Sequence, residues 1–318
     1  MTTTPAPVRV RGRARPDPGT RTDRRPKPRR ARNDLKAALI FVLPATIGFA
    51  VFYVWPALRG IYYSFTDFSV LSPEKWIGAA NYQTLLHDGL FWNALKVTLE
   101  YVVINIGAQT ILALLIAVLM HRFTKSMVVR GALLLPYLVA NVVVALTWFW
   151  MMDYQIGIVN QMLQWVGIDR VAFFGDSAWA IPTIAMVNVW RYVGYTALLI
   201  FAGLQTIPDQ LYEAAALDGS GEVRSFFKIT VPLLRPVLAM VLVITVTGSF
   251  QLFDTVAVTT AGGPINATRV IYYYIYDLAF TRFQFGYASA ISVVLFVILA
   301  AVAFVQIKML RAGESDLS

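Results

Sequence analysis

Three long apolar stretches of the sequence contain polar and aromatic side chains, which are costly in apolar surroundings unless a partner satisfies them. Amide, hydroxyl and aromatic groups suit exchangeable hydrogen bonds and ring stacking with a polar ligand. Any one of these residues could equally form a hydrogen bond between two helices. As a group, however, they favour a path for a ligand. The clustered residues are Tyr137, Asn141 and Thr147; Asn188, Trp190, Arg191, Tyr192 and Tyr195; and Thr245, Thr247, Ser249, Gln251 and Asp254.

Arg191 is the most informative of these residues because it falls near the middle of its apolar stretch. A charge at that depth in a bilayer costs roughly 2.5–3.5 kcal/mol, so it should face water, an acid or a ligand. Asp254 could be a structural partner for it. The alternative is an anionic group, or the vicinal hydroxyls, of a ligand that the guanidinium contacts directly.

The composition excludes several classes of chemistry. The chain has no cysteine and only two histidines, His87 and His121, so thiolate chemistry is excluded and a histidine metal site or triad is poorly supplied. We therefore assign no catalytic residue and no metal ligand. The sequence also has no G-x-x-x-x-G-K-[ST] phosphate loop, so the chain itself does not hydrolyse a nucleotide.

The elements that position these residues are predicted to be membrane-spanning helices. Hydrophobic residues make up 58% of the 318-residue chain and charged residues 14%, against about 25% charged in soluble domains. Six apolar runs are each long enough to cross about 30 Å of hydrocarbon. The sequence therefore predicts an all-α integral membrane protein with six transmembrane helices. The runs are residues 37–57, 97–120, 131–151, 180–203, 236–254 and 287–307.

The basic residues predict both the tails and the orientation. Residues 1–36 are rich in arginine and proline and should form a disordered cytoplasmic tail that touches anionic lipid, rather than a nucleic-acid arm. On the side of the membrane that would hold the N-terminus, the loops outside this tail carry eight Lys and Arg residues, and the loops on the other side carry five. Both termini should therefore be cytoplasmic. The permease domain is expected over residues 37–310 and a C-terminal tail over residues 311–318.

The loop between the fourth and fifth spans, residues 207–236, has the pattern of two short helices. Pro208 and Asp209 suit a helix start. Gly219 can adopt the left-handed conformation that ends the first helix. The second helix should stop before Pro232. The small residues of the first helix leave one face flat, so another protein surface could approach closely.

This loop resembles the EAA motif of ABC-importer permeases, E-A-A-x-x-D-G followed by F-x-x-I-x-L-P-x-x-x-P. The one departure is Val231, which stands where leucine is usual. The resemblance implies a type I importer fold in which residues 207–230 form a coupling loop that docks into an ATPase subunit. The matching positions are Glu213, Ala214, Ala215, Asp218, Gly219, Phe227, Ile229, Pro232 and Pro236, of which the first six are expected to contact the ATPase.

Two further stretches resemble the carbohydrate branch of that family, the maltose and oligosaccharide type. The first is residues 76–82, followed by residues 91–95 and Thr98. The second is residues 260–264 with Thr268, followed by residues 274–276 and 279–280. The resemblance extends over about residues 35–310. It implies that sugar-contacting positions fall on Tyr137, Asn141, Asn188, Arg191, Tyr192, Tyr195 and Gln251.

The resemblance also implies a mechanism and a set of partners. The expected function is translocation of a sugar across the plasma membrane by alternating access. The expected partners are cytoplasmic ATPase subunits, a second permease subunit, an extracellular solute-binding protein and membrane lipid. No cofactor is expected on this chain, since ATP with Mg²⁺ is used by the ATPase. A glycerol-phosphate-type anionic solute is the alternative cargo, and a proton-coupled secondary transporter is the alternative class.

Overall fold

The structure is a computed structural model that describes residues 31–70, 72–124 and 126–312, with side chains from Ile40 to Lys308. The chain divides into two compact units, Met1–Pro56 and Ala57–Ser318. The helices in chain order are α1 (Ala31–Phe49), α2 (Trp55–Tyr63), α3 (Ala80–His87), α4 (Gly89–Phe123), α5 (Met127–Leu138), α6 (Asn141–Met151), α7 (Ile158–Trp165), α8 (Ala180–Leu204), α9 (Gln210–Leu217), α10 (Glu222–Ser225), α11 (Val231–Leu233), α12 (Arg235–Phe250), α13 (Asp254–Thr259), α14 (Ile271–Tyr276) and α15 (Phe285–Ala312).

In the first unit, α1 begins at Ala31 and passes into a π-helical turn, Ala50–Val54. The boundary at residue 36 that we predicted for the tail is therefore too late, because the backbone is already helical at residue 31. The rest of the predicted tail, residues 1–30, lies outside the described residues. At the other end of the chain α15 continues to Ala312, two residues into the predicted C-terminal tail, and residues 313–318 also lie outside the described part.

The all-α membrane prediction is confirmed. Five helical segments of the described chain are long and apolar enough to span a bilayer, and a bent pair makes a sixth. Each overlaps one predicted span. The segments are Ile40–Tyr63, Gly89–Phe123, Ala180–Leu204, Arg235–Thr259 and Phe285–Lys308, with Met127–Leu138 and Asn141–Met151 as the pair.

The predicted third span, residues 131–151, is wrong as a continuous helix. It is two helices, α5 and α6, bent by 90°. Pro136 lies inside α5 and has no N–H to donate. Val139 and Ala140 then adopt extended conformations with ψ of 140° and 136°, so the chain leaves the helix and starts again at Asn141.

The fifth span is also interrupted, but without a sharp bend, since Arg235–Thr259 remains one segment long and apolar enough to span a bilayer. Helix α12 ends at Phe250, and α13 begins at Asp254 after a short non-helical stretch. Phe253, within this break, has φ of −141° and ψ of −61°. The predicted end of the span at residue 254 is therefore the start of a further half-helix. The broken third and fifth spans pack against each other through α6 and α13.

The core of the second unit is built on α4 and α8, which pack along each other and carry α5 and α12. Small residues permit this close approach. Ala113 and Ala117 of α4 and Ala197 of α8 are fully buried. At Gly194 the approach is closer still, since a Cβ there would meet the Leu133 carbonyl oxygen of α5 at 1.9 Å. This glycine is required to bring the broken third span against α8.

Candidate functional site

A cavity of about 250 Å³ lies where the two broken spans meet α4 and α8. Its wall is mixed, with amide, hydroxyl and aromatic groups among aliphatic ones. The lining residues are Tyr101, Asn105, Gln109, Asn141, Asn188, Tyr192, Tyr195, Thr196, Leu199, Val241, Ile244, Thr245, Gly248, Ser249, Gln251, Leu252, Phe253 and Asp254.

Most of the residues predicted to contact a solute lie in this wall. Asn141, Asn188, Tyr192, Tyr195 and Gln251 line the cavity. They come from three different helices or their ends, α6, α8 and α12, so the fold brings together groups that are far apart in the sequence. The other two predicted residues are placed behind the wall.

Those two residues are Tyr137 and Arg191. The Tyr137 ring stacks on the Tyr195 ring with centroids 4.6 Å apart, and it meets the Tyr192 ring edge-on at 5.7 Å. Tyr137 therefore fixes the orientation of two aromatic side chains that do line the cavity. Its own ring is not part of the lining.

The guanidinium of Arg191 is directed at the break in the third span. Its Nη2 donates to the Val139 carbonyl oxygen at 3.0 Å and to that of Tyr137 at 3.4 Å, and Nε also donates to Val139. Nη1 donates to the Tyr192 hydroxyl oxygen, and the guanidinium lies 4.7 Å from that ring's centroid. A cation at the C-terminal end of a helix is favourable and satisfies carbonyls that the break leaves without helical donors.

Asp254 is not the partner of Arg191. One oxygen of its carboxylate, Oδ2, accepts a hydrogen bond from Asn141 Nδ2 at 3.0 Å. None of the ion pairs between described residues includes Asp254 or Arg191. This contact joins the first residue of α6 to the first residue of α13, and so connects the two half-helices at the cavity.

Sequence reasoning missed the part of the cavity wall that α4 contributes, together with Thr196 of α8. Asn105 Nδ2 donates to Ser249 Oγ at 2.9 Å and to Gln109 Oε1 at 3.2 Å, and Gln109 Nε2 donates to Thr196 Oγ1 at 2.8 Å. Asn105 Oδ1 has no hydrogen-bond partner among the described residues although it is buried. The available signal was two amides four residues apart in an apolar run, which places them on one face of the helix.

A second set of predicted residues lies in the loop after α8. Gly219 has φ of +73°, which confirms the left-handed conformation predicted for it. The N–H of Gly219 donates to Ala216 O at 3.0 Å and that of Ser220 to Ala215 O at 2.8 Å, the pattern of a Schellman motif. A Cβ on Gly219 would meet no atom within 4 Å, so the constraint on this residue is conformational.

The predicted end of the second loop helix, before Pro232, is wrong. After α10 the backbone forms a π-helical turn over Phe226–Thr230 and continues through α11 into α12. The wider turn lets Val231 N–H reach Phe226 O. Pro232 then falls at the start of α11, where a missing N–H is tolerated.

The loop presents exposed apolar side chains. Leu217 is 90% exposed, Val223 73% and Phe227 64%. Glu213, Ala214 and Asp218 are also exposed, and Ala215 is half-buried. The two halves of the loop are tied together by Tyr212 and Thr230, whose hydroxyl oxygens lie 2.9 Å apart. An apolar surface on a rigid loop is suited to a protein partner.

The opposite end of α4 carries a cluster of paired polar groups. We call Asp88, Tyr274 and Tyr287 the Asp88 cluster. Asp88 Oδ2 accepts from both tyrosine hydroxyls at 2.6 Å, and Oδ1 caps α4 by accepting from Leu90 N–H at 2.8 Å. Partial burial alone would raise the pKa of the Asp88 carboxyl. These donors, with the N–H of Phe91, outweigh it and hold the pKa below its ordinary value.

The two stretches that resembled the carbohydrate branch lie on the same side as this cluster and stabilise the backbone. Asn81 Nδ2 donates to the carbonyl oxygens of Ser64 and Thr66. Thr268 Oγ1 donates to Gly263 O at 2.6 Å, ahead of a cis Gly263-Pro264 bond. These residues position the ends of the helices and do not line the cavity.

Comparison with known proteins agrees with this geometry. Residues 109–311 match the family described as binding-protein-dependent transport system inner membrane component. A probable ABC transporter permease, YurN of Bacillus subtilis, is 36% identical, covering 87% of this chain and 97% of the relative. The trehalose/maltose transport system permease MalF of Thermococcus litoralis is 32% identical, covering 87% of this chain and 95% of the relative.

Two solved structures are similar over 89% of this chain and 96% of their own chains. One is a bacterial ABC transporter involved in the import of the acidic polysaccharide alginate, with 27% identity and a TM-score of 0.77. The other is the bacterial alginate ABC transporter in complex with an alginate pentasaccharide-bound periplasmic protein, with 25% identity and a TM-score of 0.78. The described helices agree with these matches, and the chain belongs to the binding-protein-dependent transport family as a multi-pass permease subunit of an ABC importer.

Proposed function

We propose that this chain forms one half of the pathway by which a carbohydrate crosses the plasma membrane. The observation that carries the proposal is the cavity at the two helix breaks. Its amides and hydroxyls can exchange hydrogen bonds with a polyol, and Tyr192 and Tyr195 offer flat faces to a sugar ring. Half-helix ends that meet a cavity at membrane depth are the usual construction of a solute site in transporters.

The similarity to a trehalose/maltose permease and to alginate importers supports a saccharide as the cargo. An anionic polyol of the glycerol-phosphate type is the second candidate. The cavity of about 250 Å³ holds a small part of an oligosaccharide at a time. A second permease subunit that completes the pathway is part of the proposal.

The energy comes from cytoplasmic ATPase subunits, which bind ATP with Mg²⁺. Helix α9 and the exposed residues Leu217, Val223 and Phe227 form the docking surface for them. ATP binding moves this surface and turns the cavity outward, and hydrolysis resets it. With this loop in the cytoplasm, both termini are cytoplasmic, the basic tail meets anionic lipid, and the Asp88 cluster lies on the side where a solute-binding protein delivers the sugar.

ATP-dependent uptake in cells that carry the complete importer tests the proposal, with radiolabelled trehalose, maltose and sn-glycerol 3-phosphate as probes. Tyr195→Ala should lower uptake several-fold, because it removes a flat aromatic face from the cavity wall together with its stack on Tyr137. Tyr272→Ala is the matched control, since Tyr272 is exposed and lines no cavity among those described. Equal uptake by both variants would overturn the assignment of the cavity.

The coupling surface has its own test. Gly219→Val should leave the protein in the membrane and abolish ATP-driven uptake, because a β-branched residue strains the left-handed turn. Gly221→Val is the control, because Gly221 has ordinary extended angles and open space around a Cβ. Normal uptake in Gly219→Val with normal ATPase association would contradict the coupling role.

A further inference from the structure

We propose that Asp254 sets the charge class of the solute, so that this half of the pathway takes neutral saccharides and rejects anionic ones. This inference rests on the proposed function, because it names the class of solute for the same cavity. The similar proteins do not decide the charge of the solute, because they include both a trehalose/maltose permease and importers of an acidic polysaccharide. The inference therefore rests on the cavity itself.

The charge of the cavity wall is the first observation. Among the described residues that line the cavity, Asp254 is the one with a formal charge at neutral pH. Its Oδ2 accepts from the Asn141 amide, which is a neutral donor. The charge is therefore oriented by a hydrogen bond but is not neutralised.

Arg191, a cation of the fourth span beside the cavity wall, uses its donors on other groups. Arg191 donates to the carbonyl oxygens of Val139 and Tyr137 and to the Tyr192 hydroxyl. It does not line the cavity and forms no ion pair with Asp254. An arginine that could have received a carboxylate or phosphate instead stabilises the helix break.

One further lining residue, Asn105, favours a ligand that donates hydrogen bonds. Asn105 Oδ1 is an acceptor without a partner among the described residues, and its residue is 4% exposed. The Asn105 amide nitrogen is already used by Ser249 and Gln109. A sugar hydroxyl can donate to Asn105 Oδ1 or to the Asp254 carboxylate, whereas a carboxylate or phosphate can only accept.

A second negative charge in this cavity would be repelled by the half-buried Asp254 carboxylate. Partly buried charges are screened less by salt than exposed ones. We expect wild-type protein to prefer a neutral probe over its anionic counterpart by at least about tenfold. Asp254→Asn should remove most of this preference, because it keeps the shape and the contact with Asn141.

The charge of the cavity can be measured without knowing the solute. The chain has no cysteine, so one can be added as a probe. Gly248 lines the cavity, and a Cβ there meets no atom within 4 Å. In the assembled importer, the rate at which Gly248→Cys reacts with a trimethylammonium-ethyl thiosulfonate is compared with the rate for the sulfonatoethyl reagent, each relative to a free thiol.

We expect the cationic reagent to react at least about tenfold faster than the anionic one, and Asp254→Asn to bring the two rates within about twofold. Asp169→Asn, at an exposed acid outside the cavity, is the control and should leave the ratio unchanged. Equal rates in the Gly248→Cys protein, or a ratio insensitive to Asp254→Asn, would overturn the assignment.

Uptake supplies the second arm and separates this inference from the proposed function. Trehalose, maltose and their singly oxidised uronates are matched pairs that differ in charge. Neutral uptake that exceeds uronate uptake, with a smaller difference in Asp254→Asn, supports the inference. Uptake of uronates at the neutral rate overturns it but leaves the permease assignment standing. Uptake of no saccharide, with the labelling ratio intact, overturns the carbohydrate proposal instead.

Discussion

The Asp88 cluster and the cavity are both polar regions at the ends or breaks of apolar helices, but they differ in how completely their polar groups are hydrogen-bonded. In the Asp88 cluster, both carboxylate oxygens accept hydrogen bonds, from two hydroxyls and a backbone N–H. In the cavity, Asn105 Oδ1 has no partner among the described residues, and Asp254 is paired through one oxygen to a neutral amide.

This difference indicates what each region contributes. A buried polar group that the protein itself satisfies adds stability, whereas one left unsatisfied costs about 1–3 kcal/mol. A cost of that size is retained where a ligand can offset it. The Asp88 cluster should therefore govern stability, and the cavity should govern transport.

Replacement of Asp88 by alanine should give the largest loss of stability. It removes the cap of α4 and leaves the hydroxyls of Tyr274 and Tyr287 without their acceptor, a loss of about 2–4 kcal/mol. Thermal unfolding of the purified protein in detergent measures it. Asp88→Asn, which keeps an acceptor oxygen, should lose less. If Asp88→Ala unfolds at the wild-type temperature, the comparison between the two regions fails.

Arg191→Gln should have an intermediate effect. It leaves the carbonyl oxygens of Val139 and Tyr137 short of donors, which should cost about 1–3 kcal/mol of stability. Arg191→Lys should recover only part of this because an ammonium lacks the planar fork of donors. Arg170→Gln, at an exposed residue, is the control.

The same residue can be tested against Asp254 in a double-mutant cycle. Since the two side chains form no ion pair, the stability losses of Arg191→Gln and Asp254→Asn should add to within about 0.5 kcal/mol. A larger coupling energy would show that Arg191 and Asp254 act as an internal pair. Loss of uptake in Arg191→Gln with unchanged stability would instead favour direct contact between the arginine and the solute.

Asn105→Ala should affect transport more than stability, the reverse of what is expected for Asp88→Ala. It breaks two hydrogen bonds and leaves Gln109 Oε1 without its donor, but it also removes the unpartnered acceptor. The two acceptors largely offset each other, so the net loss of stability should be about 1 kcal/mol, smaller than that of Asp88→Ala. Uptake should show a several-fold higher KM. A stability loss as large as that of Asp88→Ala, with KM unchanged, would make this amide a structural residue.

The smallest effect is the pH dependence of the Asp88 cluster. The folded-state pKa of Asp88 is depressed, so its contribution is present above the unfolded value of about 3.9 and is lost as pH falls through the folded pKa. The unfolding temperature should therefore fall more steeply below about pH 4 in wild-type protein than in Asp88→Asn. Parallel curves would show that the carboxylate does not stabilise the fold.

Some parts of this structure follow from local sequence and others do not. The fourth and sixth spans begin and end within a few residues of their predicted limits, because apolar length alone decides them. Gly219 was predictable because the conformation belongs to the residue type. The breaks in the third and fifth spans were not, since the groups that satisfy Val139 and position Asp254 come from Arg191 and Asn141, far along the chain.

The site shows the same division. Aromatic and amide residues in the third to fifth spans were identified because they cluster and match a known pattern. Asn105 and Gln109 were passed over because two amides in an apolar helix are equally consistent with contacts between helices. Only the packing of α4 against α8 and α12 shows that they face the cavity.

The length of α4 has a mechanical consequence. Its 35 residues run without a break from the Asp88 cap to Arg122, which pairs with Glu222 of the loop at 2.6 Å. At 1.5 Å per residue the helix is about 52 Å long, well beyond the thickness of the hydrocarbon layer. A straight rod of this length that pivots at one end by 5° displaces the other end by about 4–5 Å. A small tilt imposed on the Glu222 side would thus become, at the far end, a movement wider than a water molecule.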